Sequence, residues 1–190
     1  MTRYDSNQKA QTRARIVDTA GRRLKSDGVD GSGVSTLMKD AGLTNGAFYS
    51  HFDSKDDLVA AAVADQLKFQ HDTIEALPQD RASLDAFISD YLSPRHRDHP
   101  EEGCPSAALL SDIARSTAVV RESYSSGVAE IIDHLATRID VADRTEAHTR
   151  AIGLITALIA TLQLARAISD PIASENVLAA GRVNSRRFLD

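Results

Sequence analysis

The stretch Val34–Leu58, VSTLMKDAGLTNGAFYSHFDSKDDL, reads as two short helices joined by a tight turn and followed by the start of a longer helix. Leu37, Met38 and Ala41 fall on one side of a helix predicted over about Val34 to Ala41. Gly42 ends it, because the chain must leave the helix sharply there, and Leu43 turns inward to lock the pair. A second helix is predicted over about Asn45 to His51 with Thr44 as its N-cap; Ser54 then caps a helix opening at Lys55, whose first turn carries Asp56 and Asp57 against the positive helix end. In a chain with 5% aromatics, this stretch places Phe48, Tyr49, His51 and Phe52 within five positions. Helical facing sends Phe48 and Phe52 inward, against Ile16, Ala20 and Leu37.

Before this stretch, a helix over about Lys9 to Asp27 shows Ile16, Ala20 and Leu24 on one face and Arg13, Arg22 and Arg23 on the other, with Gly28 as its C-cap. Residues 1–25 hold seven basic side chains (Arg3, Lys9, Arg13, Arg15, Arg22, Arg23, Lys25) against Asp5 and Asp18, a net +5, whereas residues 59–190 are net −6. A basic head on an acidic body is the footprint of one end meeting a polyanion, while the overall charge of −5 argues against a protein that coats nucleic acid without selection. Two short helices around a glycine turn, behind a basic amphipathic helix, form a helix-turn-helix, whose second helix enters the DNA major groove.

The run Val34-Ser35-x-Leu37-Met38-x-x-Ala41-Gly42-Leu43-Thr44-x-Gly46-x-Phe48-Tyr49-x-His51-Phe52-x-Ser54-Lys55-x-x-Leu58 closely resembles the DNA-binding signature of the TetR/AcrR family of transcriptional regulators over residues 11–60. The resemblance implies an all-α chain of about nine helices, with a three-helix helix-turn-helix DNA-binding domain at 1–54 and a helical ligand-binding and dimerisation domain at 55–190. It implies that Ser35, Thr44, Asn45, Gly46, Tyr49, Ser50, His51 and Lys55 meet double-stranded operator DNA. Tyr49 is then expected at phosphate and a thymine methyl, and Thr44, Ser35, His51 and Lys55 at the backbone. Gly46 permits close approach. Asn45 is the expected base reader, since Asn pairs bidentately with adenine. Gly33 stands where the family usually has Ser or Thr before the second helix; together with Asn45 and Ser50, it bears on which operator is read.

The rest of the chain is helical, over about 81–93, 106–115, 118–139, 143–169 and 174–188, with a polar break at 94–105. The uncharged segment Ala151–Ala165 is 15 residues long, short of the roughly 20 that cross a bilayer. Being apolar on nearly every side, it asks for cover on every side, from a second copy of the chain or as a central helix of one. The resemblance implies the former, a homodimer through the helices near 143–169 and 174–188, and also a pocket for a small-molecule effector. Phe87, Tyr91, Leu109, Ile113 and Tyr124 lie on candidate pocket faces, with ordinary core packing as the alternative for each. Cys104, the lone cysteine, forms no intrachain disulfide, which together with an N-terminus lacking an apolar leader pattern suits a cytoplasmic protein. Gly103-Cys104-Pro105 is similar to a subset of the family with Gly-Cys-Pro at the start of the sixth helix; Cys104 is then either an electrophile or oxidant sensor or an inert buried thiol. His96, His99, Glu101 and Cys104 offer zinc-type ligands at a spacing that matches no standard pattern. No nucleophile elbow, P-loop, dinucleotide fingerprint or HExxH occurs, so neither an enzyme nor a cofactor is expected.

Overall fold

A computed structural model describes the backbone of residues 3–190 and the side chains from residue 7 onward. Nine α-helices follow one another among these residues, with no strand: α1 Arg3–Gly31, α2 Val34–Asp40, α3 Lys55–Glu75, α4 Arg81–Tyr91, α5 Pro94–Asp98, α6 Pro105–Arg115, α7 Ala118–Ala136, α8 Arg144–Ala167 and α9 Pro171–Arg186. Three short 3-10 segments, Asn45–Ser50, Pro100–Glu102 and Arg187–Leu189, complete the order.

The turn between α2 and the next segment follows from one residue. Gly42 adopts φ 70°, where a side chain would be strained. That conformation lets Leu43 N–H donate to Met38 O at 2.9 Å and Gly42 N–H to Lys39 O at 2.9 Å, which satisfies the last carbonyls of α2. Gly28 takes φ 76°, ψ 168°, so the regular part of α1 ends where the sequence predicts, although one further turn continues to Gly31. The segment after the turn is tighter than predicted, a 3-10 helix over Asn45–Ser50, and the Thr44 side chain makes no cap bond. The i→i+3 bond from Ala47 N–H to Thr44 O, at 3.1 Å, begins it instead. Ser54 does cap α3, accepting from Asp57 N–H.

One buried cluster runs from the head into the body. Ile16, Ala20 and Leu24 of α1, Leu37 and Met38 of α2, and Phe48 and Phe52 meet Leu58 and Val59 of α3, which continues through Leu67 to Ile74 against α7. Helix α3 thus belongs to both ends: its first turn is tied to α1, where Lys55 donates to Val29 O, and its 21 residues make roughly 31 Å of helix that continues along α7. Helix α8 packs closely on α9 and on the 3-10 segment after it, because Gly181 of α9 lies under Thr161 and Gly153 under Phe188, where an added Cβ would come within 2.3 and 2.4 Å of those side chains.

The predicted polar break at 94–105 is ordered. Ser93 accepts from His96 N–H to cap α5, with Pro94 in the first helical turn. Arg166 of α8 then donates to the carbonyls of Arg97, Ala107 and His96 at 3.0, 3.1 and 2.6 Å. A polar composition here serves tertiary hydrogen bonding rather than solvation.

Candidate nucleic-acid interface

Along the 3-10 segment the aromatics separate by face. Phe48 is 1% exposed and Phe52 4%, with ring centroids 5.8 Å apart, whereas Tyr49 is 75% exposed and meets Phe48 only edge-on at 5.2 Å. A tyrosine so exposed contributes little to the fold and stands free for a partner. Ser35, Thr44, Asn45, Gly46 and Ser50 are exposed as well. Gly46 has no atom within 4 Å of where a Cβ would sit, so the fold itself does not call for glycine there. The Ser50 hydroxyl donates to Ala47 O at 2.7 Å.

Two of the expected contacts are more enclosed. His51 is half-buried, its Nδ1 enclosed without a hydrogen-bond partner, and burial, then Lys9 and Arg13, push its pKa down. Lys55 is also half-buried and donates to Val29 O at 2.6 Å; an ammonium has three donors, so two remain.

The basic face of α1 is only partly available. Arg23 bonds Asp40 of α2 at 2.7 Å and Asp27 at 3.0 Å, and its guanidinium holds the Asp40 carboxyl below the usual range. Arg22 pairs with Asp18 at 3.6 Å. Lys25 is buried in the body. Arg13 lies over the Phe52 ring at 4.7 Å, and Lys9 and Arg15 are exposed. Lys9 and Arg13 are therefore the α1 cations beside His51, and they extend the surface beyond the residues named from the signature. Arg3, counted in the basic head, lies outside the residues whose side chains are described.

The body holds a cleft of about 530 Å³ between α1, α3, α4 and the start of α6. Phe87, Tyr91 and Cys104 line it. Leu109 and Ile113 do not, being closed into the core, nor does Tyr124, which donates to the Ser106 hydroxyl at 3.1 Å. Lys25 reaches into this region from α1, donating to Gln66 Oε1 at 2.6 Å and to Gly103 O at 2.8 Å, and burial lowers its pKa to about 8. The Tyr91 hydroxyl is buried with no hydrogen-bond partner and lies against Cys104; burial, then Cys104, raise its pKa.

His96 is not poised as a metal ligand. Cys104 N–H can only donate, so His96 Nε2, 2.9 Å away, accepts. His96 Nδ1–H then donates to Tyr91 O at 2.7 Å, which leaves the neutral imidazole no lone pair for a metal. Burial favours that neutral form. The proposed set of His96, His99 and Cys104 thus loses its central ligand. Gly103 allows the arrangement, since a Cβ there would fall 2.1 Å from His96 Nε2.

Residues 16–62 match the model of bacterial regulatory proteins of the tetR family. A probable HTH-type transcriptional regulator, ArpR of Pseudomonas putida, is 33% identical over 85 residues, which are 45% of this chain and 40% of that protein. The HTH-type transcriptional regulator TtgR, also of Pseudomonas putida, is 32% identical over the same length and shares. The match thus spans 40% of the length of these curated relatives. Among solved structures, the reduced form of NemR from E. coli superimposes with a TM-score of 0.78 at 18% identity, covering 93% of this chain and 96% of that one. A TetR family regulator from Agrobacterium tumefaciens gives 0.77 at 19%, covering 94% and 98%. At such identity these two carry the fold, and the N-terminal matches carry the relationship.

Proposed function

We propose that this chain, whose residues 16–62 match the tetR-family model, is a TetR-family transcriptional regulator, a dimeric repressor released from a pseudo-palindromic operator by a small molecule. The carrying observation is the 3-10 segment that buries Phe48 and Phe52 while leaving Tyr49 75% exposed beside Asn45 and Gly46. Residues 1–54 form the DNA-binding head and 55–190 the sensing and dimerising body, working in the cytoplasm where the DNA is. Ser35, Thr44, Tyr49, Ser50, His51 and Lys55 hold the DNA backbone, joined by Lys9 and Arg13, and Asn45 reads a base. Operators selected from a random DNA pool test this. Tyr49→Ala abolishes binding to the selected site with the melting temperature unchanged, and Asn45→Ala relaxes one base pair per half-site by about 1–3 kcal/mol. Unchanged affinity in Tyr49→Ala overturns the surface.

A stripe left uncovered on α8 and α9 supports the dimer. Ile152, Thr156, Ala160 and Leu164 recur every fourth residue on α8, with Ile172, Ala179 and Val183 exposed on α9. Leu164, Ile172 and Val183 are 54%, 74% and 56% exposed. A second copy covers this face and spaces two recognition segments about one DNA turn, roughly 34 Å, apart. Light scattering should give twice the 20.5 kDa chain mass, falling to one chain in Leu164→Arg/Val183→Arg.

The Cys104 cleft supports effector response because Lys25 of α1 bonds its rim at Gly103. An occupant there touches the head and the body together. The buried Tyr91 hydroxyl against Cys104 favours a second reading, in which the thiol itself is the sensor. Alkylation by N-ethylmaleimide with concurrent loss of operator binding, absent in Cys104→Ser, separates this from reversible ligand binding.

A further inference from the structure

Three of the six histidines gather at a second cleft that shares no lining residue with the Cys104 cleft. His71 near the end of α3, His134 near the end of α7 and His148 early in α8 line a cleft of about 590 Å³. His71 Nδ1 faces Asp72 Oδ1 at 3.4 Å and Glu75 Oε2 at 4.0 Å, and the donor atoms of these three residues lie within 4.8 Å of one another. Asp72 is engaged by Lys68 at 2.6 Å, which leaves Glu75 the freer carboxylate. From α7, the His134 ring stands edge-on to His71 with centroids 5.2 Å apart, and its Nε2 is enclosed without a hydrogen-bond partner. His148 pairs instead with Asp133 at 3.3 Å.

The chemistry of this group is that of a ligand set. Zinc takes imidazole nitrogen and carboxylate oxygen in a tetrahedron, and Zn–N bonds of about 2.0–2.1 Å put two ligating rings roughly 5 Å apart, centroid to centroid. His71 and His134 already stand at that separation. The orphaned nitrogen gains a partner, and the carboxylates of Glu75 and Asp72 offset the charge of a dication.

We propose that His71, Glu75 and His134 form a site for a divalent transition-metal cation of the zinc class, tying the far end of α3 to α7. The cation bridges the helix whose first residue bonds Val29 O of α1 and the helix against which it packs most extensively. The site stands whether or not the Cys104 cleft takes an effector.

The test is zinc titration of the purified full-length chain, stripped of metal, against a chromogenic chelator. One zinc per chain is expected. His71→Ala and His134→Ala should each weaken binding by at least the roughly 10–100-fold that losing even an outer-shell partner costs. Glu75→Gln, at an exposed position that keeps the fold, should weaken it as well, so the result does not depend on a variant in the packed ring pair. Cys104→Ala and His99→Ala should leave it unchanged. Cobalt(II) loading should give the visible bands of a nitrogen and oxygen site without a thiolate charge-transfer band. Absence of stoichiometric zinc, or unchanged affinity in the Glu75→Gln and His71→Ala variants, overturns the proposal. So does loss of zinc in Cys104→Ala, which would move the metal to the 96–104 segment.

Discussion

The segments 42–55 and 91–105 are similar in length, and both are compact turns, but they are held by different means. In 42–55 the controlling interactions are local: a glycine at positive φ, carbonyls capped by the next two N–H groups, and aromatics sorted by helical facing. In 91–105 the local bonds are joined by distant ones. His96 bridges Tyr91 O to Cys104 N–H, while Arg166 and Lys25 bring in helices far away in sequence. The first kind of turn can be read along the chain, because its partners are sequence neighbours. The second is specified by residues tens of positions away. It also places the Cys104 cleft in contact with α1.

The largest expected effect tests whether the local turn has two separable faces. Phe48→Ala removes a side chain that is 1% exposed and stacked on Phe52, and it should cost about 3–5 kcal/mol in chemical denaturation. Its neighbour Tyr49→Ala should stay within about 0.5 kcal/mol of the parent, as surface substitutions do. Equal losses at the two positions would mean that the tyrosine is part of the core.

The next effect probes the tertiary turn. Gly103→Ala drives a methyl to within 2.1 Å of His96 Nε2, on a ring held by bonds at both nitrogens. The ring must leave Tyr91 O or Cys104 N–H, and a loss of about 1–3 kcal/mol is expected. Gly46→Ala, with open space at its Cβ, should instead be near neutral for stability and harm only DNA binding. The two glycines then differ in kind, one serving the fold and one the partner. A near-neutral Gly103→Ala would break that distinction.

Residue by residue, legibility follows sequence distance. The all-helical architecture, the glycine turn, the Ser54 cap and the burial of Phe48 and Phe52 are each set by spacing within a few positions. The helix limits predicted for the body lie within a few residues of α4 and α6–α9. The basic face of α1 is misleading in part, because Arg23 is claimed by Asp40 and Lys25 by Gln66 and Gly103, partners that only the folded chain brings near. Leu109, Ile113 and Tyr124 have the composition of a pocket lining, but composition does not distinguish a lining from a core. The 94–105 segment has the composition of a solvated loop, but Arg166, Lys25 and Ser174, far away in sequence, bond several of its polar groups.

The smallest effect lies at the edge of the local turn, where the sequence makes His51 an expected contact and its titration depends on the fold. In the free protein, burial, then Lys9 and Arg13, depress its pKa below the ordinary 6.5, so it is neutral at pH 7. A DNA phosphate beside it favours the charged form and raises the pKa in the complex. The complex then binds more protons than the free protein, so operator affinity should rise as pH falls from about 8 to about 6, and level off below the free-protein value. One unit of difference amounts to at most about tenfold. For folding the sign is opposite. The depressed value means the unfolded chain takes the proton more readily, so His51's contribution to stability is present above the unfolded value and is lost as pH falls through the folded one. Binding and melting should therefore move in opposite directions over that range. In His51→Gln both slopes attributable to this residue should vanish. An affinity slope that persists would assign the proton to another group and reduce His51 to a helix-end packing residue, leaving Lys9, Arg13 and Lys55 to hold that stretch of backbone.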